Sequence, residues 1–449
     1  MDHAVGINEI LGRFFGTLGV GHAFAALAVV ILTIIILVFR RVDVAVLMML
    51  VLSISTGIDE AAVSHAAYLG RWYFLVLAAV LGLARLAKTS GAITGLALVW
   101  ACANVMGIVY SASLEEGAVR GLFFLLAVPA FMWSLGPPYG DSHSLIRLIR
   151  WFALSGLVLA GIHVIFMISS PPGRGVERFS SAFENSQSLS ISTATVTLPM
   201  IWALLTKNAG KWTALLFIGV LVNLTAMLAS TQRTGLVSLG TAILILLLFY
   251  RSRGLVTAVL TGSAVVFLLW PVVTYLTSPA TLAYRFSTAG ARDRTRIWSH
   301  FFREAMESPI WGHGSGSASM AGVQAVGLSF HNSYLVVLYD LGILGLACFC
   351  AMILAGMLSG MRLSIGRRGA RRALGVFVLA GLFQVVIQGI TEVGLANTAN
   401  HTAMLFYFTL GVAAACSKMA FEGDPRAETY DDRAGSFLPH THARLASVR

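Results

Sequence analysis

The chain carries little charge. Only 11% of its 449 residues are Asp, Glu, Lys or Arg, where a soluble domain carries roughly a quarter, and that shortfall excludes an ordinary water-soluble fold. Cysteine is also scarce. Cys102, Cys348, Cys350 and Cys416 all fall in apolar runs, and residues two apart on a helix, such as Cys348 and Cys350, do not share a face. Neither a disulfide framework nor a metal site follows; the four are expected to be small buried hydrophobes. No Asp-x-Asp pair occurs, and no His, Asp and Glu cluster outside the apolar runs has metal-ligand spacing. The adjacent pairs Asp59-Glu60 and Glu115-Glu116 point apart on any regular element. A cleavable signal peptide is not evident, because Asp2 and Glu9 occupy a start that would have to be basic.

What the sequence has in quantity is apolar residues, 57% of the total. Runs close to the ~20 residues that cross a bilayer recur near 22–39, 43–58, 72–87, 92–110, 119–135, 146–168, 187–206, 212–229, 234–250, 255–276, 334–360, 373–391 and 401–419. They predict an all-α polytopic membrane protein with about 12–13 transmembrane helices. The +11 net charge reports topology and not nucleic acid. Arg40-Arg41, Arg85/Lys88, Arg147/Arg150, Lys207/Lys211, Arg251/Arg253 and the five-arginine loop at 362–372 fall on alternate loops, which the positive-inside rule makes cytoplasmic. Asp59-Glu60, Glu115-Glu116, Glu177, Glu184 and Glu392 then face outward, as does the long segment 277–333. One membrane domain, 1–421, is followed by a polar tail, 422–449, expected to be disordered and cytoplasmic.

Three outward segments are polar enough to hold chemistry: 169–186, the turn Ser230–Thr234, and the 277–333 loop. Within the loop, Asp293 to Glu307 reads as an amphipathic helix, with Ile297, Trp298, Phe301, Phe302, Ala305 and Met306 as its apolar stripe. Asp293 is expected at its N-terminal end and Pro309 with Gly312 to terminate it. Arginine holds phosphate without a metal, through a planar fork that stays charged, and Arg178, Arg233, Arg285 and Arg296 lie at or beyond the outer ends of spans. Arg233 stands in a very short turn, a costly place unless it pairs or meets an anion, with snorkelling to the headgroups as the plainer alternative. Arg174, Arg292 and Arg294 read as surface residues. Histidine is the side chain whose ordinary titration range includes neutrality, and His331, next to Asn332 and just before a span, is placed as a general base would be. A satisfied structural histidine is the alternative there, and His313, between two glycines, reads as part of a turn.

The spaced elements Arg296–Trp298, Ser308–Gly314 (Ser-Pro-x-x-Gly-x-Gly), His331–Leu335 and Gly342–Leu346 resemble the bacterial O-antigen ligase/polymerase superfamily. The Thr231–Gly235 turn and Arg178 with Phe183-Glu184-Asn185 extend the resemblance over 178–346. It departs from the family pattern at Ser181, where glycine is usual, and at Ser186-Gln187, where Pro-Asn is usual. The resemblance implies a metal-independent, inverting glycosyl transfer at the outer face of the inner membrane, with no cofactor. The donor would be an undecaprenyl-pyrophosphate-linked glycan, held at its pyrophosphate by Arg233 and Arg285, with His331 acting on the acceptor hydroxyl. Arg178, Arg296, Asn332, Trp298 and Tyr334 would line the substrate site, and the amphipathic helix would cover the donor. The acceptor is either another glycan, making a polymerase, or lipid A-core, making a ligase. The short, nearly uncharged run between Gly314 and His331 favours the polymerase. Partners are the lipid bilayer and other polysaccharide-assembly proteins. Two rival classes are a lipid-linked oligosaccharide flippase, which should show ionisable residues near midspan, and a non-catalytic scaffold, which should tolerate His331→Ala.

Overall fold

The computed structural model describes residues 29, 31–37, 41–84, 91–135, 142–169, 179–250, 289–319, 321, 330–366, 369–396 and 400–421. Arg178 and Arg285, the span expected at 255–276 and the 422–449 tail lie outside the described residues. What is described is helical: α1 (Val42–Ser55), α2 (Ala61–Leu83), α3 (Ala92–Gly107), α4 (Leu114–Ala127), α5 (Ser142–Ser169), α6 (Ser186–Leu205), α7 (Thr213–Ala229), α8 (Arg233–Tyr250), α9 (Ala289–Ala305), α10 (Ser333–Gly366), α11 (Gly369–Thr391) and α12 (His401–Phe421). Residues 31–37 are helical too. Among the described residues the only β pairing is one isolated bridge, Ile58 with Phe183. Among the described residues eight helical stretches are long and apolar enough to cross a bilayer, and α1, α8 and α12 are shorter apolar helices. The protein is therefore an all-α, multi-pass membrane protein, since helices satisfy their backbone groups internally in lipid.

The expected spans recur with shifted edges. α2 starts at Ala61 and not near 72, because Arg71 does not interrupt it. The Arg71 guanidinium folds back to Thr56 Oγ1 at 3.3 Å and lies over the Tyr68 ring, 4.5 Å from its centroid. α6 and α11 are the most buried of the long helices and form the middle of the bundle: α6 packs on α5, α7 and α8, and α11 on α8, α10 and α12. α6 can sit there because its N-terminal half is rich in small hydroxyl residues, buried at Ser186 and from Ser190 through Thr197. Several return their hydroxyls to the preceding turn, as Thr195 does to the Ile191 carbonyl and Thr197 to that of Thr193, which lets neighbouring backbones approach.

The cysteines depart from expectation. Cys416 alone is buried, Cys348 is partly covered, and Cys102 and Cys350 are exposed. On a spanning helix an exposed face meets lipid and not water, so a thiol is no worse placed there than in the core.

At one end of the bundle the loops interlock. The Asp59 N–H donates to the Ala182 carbonyl at 2.8 Å and the Glu184 N–H to that of Gly57 at 3.0 Å. Ala112 N–H donates to Ser317 Oγ at 2.9 Å and Ser111 Oγ to the Ser315 carbonyl at 2.7 Å. Four segments read as lying on one side of the membrane thus pair off, 57–59 with 182–184 and 111–112 with 315–317.

Candidate functional site

The Ser308–Gly314 run turns out to be a clamp. α10 is 34 residues long but breaks at Gly342, which has φ +63°. A Cβ there would lie 2.2 Å from the Ile310 carbonyl oxygen, so only glycine lets the loop cross. The break frees backbone groups that the loop uses: the Ile343 N–H donates to the Pro309 carbonyl, and the His313 and Gly314 N–H groups to the Tyr339 and Asp340 carbonyls, at 2.8, 2.8 and 2.9 Å. Below them the buried Asp340 carboxylate accepts from Arg120 Nη1 at 2.6 Å and from the Gly316 and Ala318 N–H groups at 3.1 and 2.7 Å. Arg120 also reaches Ser319 Oγ and Glu116. His313 is a turn residue, as expected; its Nε2–H donates to the Glu304 carbonyl at 3.0 Å and its ring stacks on Tyr339.

His331 stands where the chain emerges from this clamp. Its backbone is left-handed, φ +47°, a conformation non-glycine residues hold chiefly where surrounding structure enforces it. Asn332 follows as the N-cap of α10, its Oδ1 accepting from the Tyr334 and Leu335 N–H groups, both at 3.0 Å. The His331 Nδ1 atom faces the Oε2 atom of Glu392 at 3.4 Å, with side-chain exposures of 29% and 6%. Glu392 is a hub: Gln187 Nε2 donates to Oε2, and Thr234 Oγ1 to Oε1 at 3.4 Å. Thr234 also meets Thr391 Oγ1 at 2.9 Å, and Ser333 Oγ donates to the Glu392 carbonyl at 2.6 Å. One carboxylate therefore joins the start of α6, the Arg233 turn, the His331 corner and the end of α11.

Arg233 opens α8 and is exposed at this face. Its turn is held by Thr231, φ +57°, and by Gly235, where a Cβ would lie 2.2 Å from Ser190 Oγ. Gln232 Nε2 donates to Ser186 Oγ at 3.0 Å. The amphipathic helix is α9. It begins at Ala289, so Asp293 lies inside it and not at its start; Ala289 and Ala291 are good helix formers that extend it backwards. Phe301 is fully buried and stacks on Phe330 at 3.7 Å, and Trp298 Nε1–H donates to the Phe330 carbonyl at 2.9 Å. Arg294, read as a surface residue, donates from Nη1 to the Thr391 carbonyl at 3.2 Å, beside Glu392. Between α9 and α10 lies an open, mostly apolar groove of about 570 Å³ whose lining includes Trp298, Phe302, Arg303, Asn332, Tyr334 and Leu338.

Of the residues singled out in the sequence, His331, Asn332, Trp298, Tyr334 and Arg233 gather on one face. Tyr334 lines the groove while its hydroxyl donates to the Val386 carbonyl at 3.1 Å. Arg296 falls within α9, but its side chain, like Arg178 and Arg285, lies outside the described residues. Sequence reading missed Glu392 as a site residue: a lone glutamate at a span end reads as a topology marker. Among the described residues, no group of three or more His, Cys, Asp or Glu side chains could hold a metal ion. A family model described as O-antigen ligase matches residues 218–350, from α7 through the first half of α10. No curated protein matches the chain.

Proposed function

We propose, from the premise that the chain belongs to the O-antigen ligase/polymerase superfamily, that it is a membrane glycosyltransferase working at the periplasmic face of the inner membrane. The donor is a glycan on undecaprenyl pyrophosphate and the acceptor a glycan hydroxyl. The observation that carries the reading is the His331 corner: a partly exposed imidazole, Nδ1 against a buried carboxylate, on the same face as Arg233. With Nδ1 protonated toward Glu392, the neutral ring presents Nε2 as an acceptor, which is what a general base needs. His331 takes the acceptor proton as the hydroxyl oxygen attacks the anomeric carbon from the side opposite the leaving group, inverting it. The pyrophosphate departs with the bonding electrons, and Arg233 with Arg285 meets the charge that grows there. Fixed cations aimed at developing charge lower the barrier without moving during the reaction, so the step is proposed to need no divalent cation.

The run from Ser315 to Phe330 contains no charged residue, which supports a glycan acceptor and hence a polysaccharide polymerase. Transfer to lipid A-core is the second reading, favoured by the description of the matched family. Purified protein, an undecaprenyl-pyrophosphate oligosaccharide and EDTA, incubated with and without lipid A-core, separates them. A ladder from the donor alone is the expected result. A single shifted lipid A-core band means a ligase. Absence of product in both tubes, restored by excess magnesium, refutes the metal-independent step.

A further inference from the structure

The buried Glu392 side chain has no assigned role, and its surroundings suggest one. A carboxylate removed from water needs a counter-charge or several hydrogen bonds. Glu392 has donors from Gln187 and Thr234, and within 4 Å the one ionisable group facing it among the described residues is His331. Its backbone is fixed independently, because Ser333 Oγ donates to the Glu392 carbonyl at 2.6 Å and accepts from the Leu395 N–H at 3.1 Å. The carboxylate thus sits at a set place behind the imidazole, and Nδ1 is occupied.

We propose that Glu392 is a positioning residue for the transfer: it holds His331 in the Nδ1–H tautomer with Nε2 toward the acceptor, and it balances the imidazolium formed there. This rests on the reading of His331 as the base. In the step itself the acceptor O–H bond breaks, its proton goes to His331 Nε2, and the oxygen bonds to the anomeric carbon. The bond from that carbon to the pyrophosphate oxygen breaks with its electron pair. Glu392 stays ionised throughout, and the proton later leaves His331 to water.

The test uses the full-length protein in nanodiscs, with a polyprenyl-pyrophosphate-linked oligosaccharide prepared from the host's own membranes. Glu392→Gln keeps the size and removes the charge. It is expected to lower kcat about 100-fold or more, the range that general acid–base catalysis contributes, with KM for the donor little changed. Glu392→Asp keeps the charge and loses reach, with an expected kcat about 10- to 100-fold down. The decisive comparison is the double variant: if Glu392 acts through His331, E392Q adds no further loss to H331A. Independent, multiplying losses overturn the proposal. So does an E392Q enzyme at wild-type rate while H331A is inactive, an outcome that leaves the proposed function standing. Full activity in H331A fells the underlying reading itself. Should E392Q not yield folded protein, E392D carries the test alone, and an undiminished kcat in it overturns the role.

Discussion

Two buried carboxylates face different kinds of partner, and that difference separates what holds the molecule together from what it does. Asp340 is closed against Arg120 at 2.6 Å, a permanent charge, and two backbone N–H groups complete its shell. Removing one partner of a buried pair leaves an uncompensated charge and costs about 3–5 kcal/mol. Arg120→Ala is therefore expected to lower thermal stability in detergent sharply and to lose activity only in proportion to the folded protein lost. His331→Ala opens a ring site that is 29% exposed and leaves Glu392 its hydrogen bonds from Gln187 and Thr234, and is expected to keep its melting temperature while losing about 100-fold or more in transfer rate. Equal loss of stability in both variants would contradict this division. His331 was legible because a histidine beside asparagine just before a span is unusual. Glu392 was not, because its partners are Gln187, Thr234 and His331, and only the fold brings those positions together. Arg120 and Asp340 were hidden for the same reason.

At the scale of elements, the spans were readable because lipid imposes a length and a composition on any crossing helix. Their interruptions were not, since each depends on a neighbour. The α10 break at Gly342 exists to admit Ile310 and Pro309, and the π turn Val128–Trp133 that continues α4 meets α2 where a Cβ on Gly82 would lie 2.0 Å from the Pro129 carbonyl oxygen. α9 was legible as an amphipathic stripe, but its docking was not. The helix is anchored by Phe301 against Phe330, by the Trp298 bond to the Phe330 carbonyl and by Arg294 on Thr391. Truncating a buried phenylalanine costs about 3–5 kcal/mol. In Phe301→Ala that loss falls on the seating of α9 and not on the bundle, where the spans pack without it. Limited proteolysis is expected to cut the 289–305 segment faster than in wild type, with the remaining helices protected and transfer reduced. Unchanged cleavage would mean that α9 is held chiefly by its other contacts.

For the whole molecule the decisive question is which end of the bundle faces out, because a polyprenyl-linked donor on the periplasmic leaflet is useful only to a site on that side. The loops that carry His331, Glu392, Arg233 and the 57–59 turn converge on one end, while Lys207 and Lys211 follow α6 at the other. The two ends differ in basic residues as the positive-inside rule requires of a cytoplasmic and an external face. Glu60 and Lys211 are both exposed, so a cysteine at either is open to a charged, membrane-impermeant maleimide. The native thiols do not confuse the result: Cys416 is buried, and Cys102, Cys348 and Cys350 lie on spanning helices, where hydrocarbon excludes a charged reagent. In intact spheroplasts Glu60→Cys is expected to label and Lys211→Cys only after permeabilisation. The reverse pattern would place His331 in the cytoplasm, away from the proposed donor. It would refute the transfer reaction at the level of topology, whatever the local geometry of the histidine and its carboxylate.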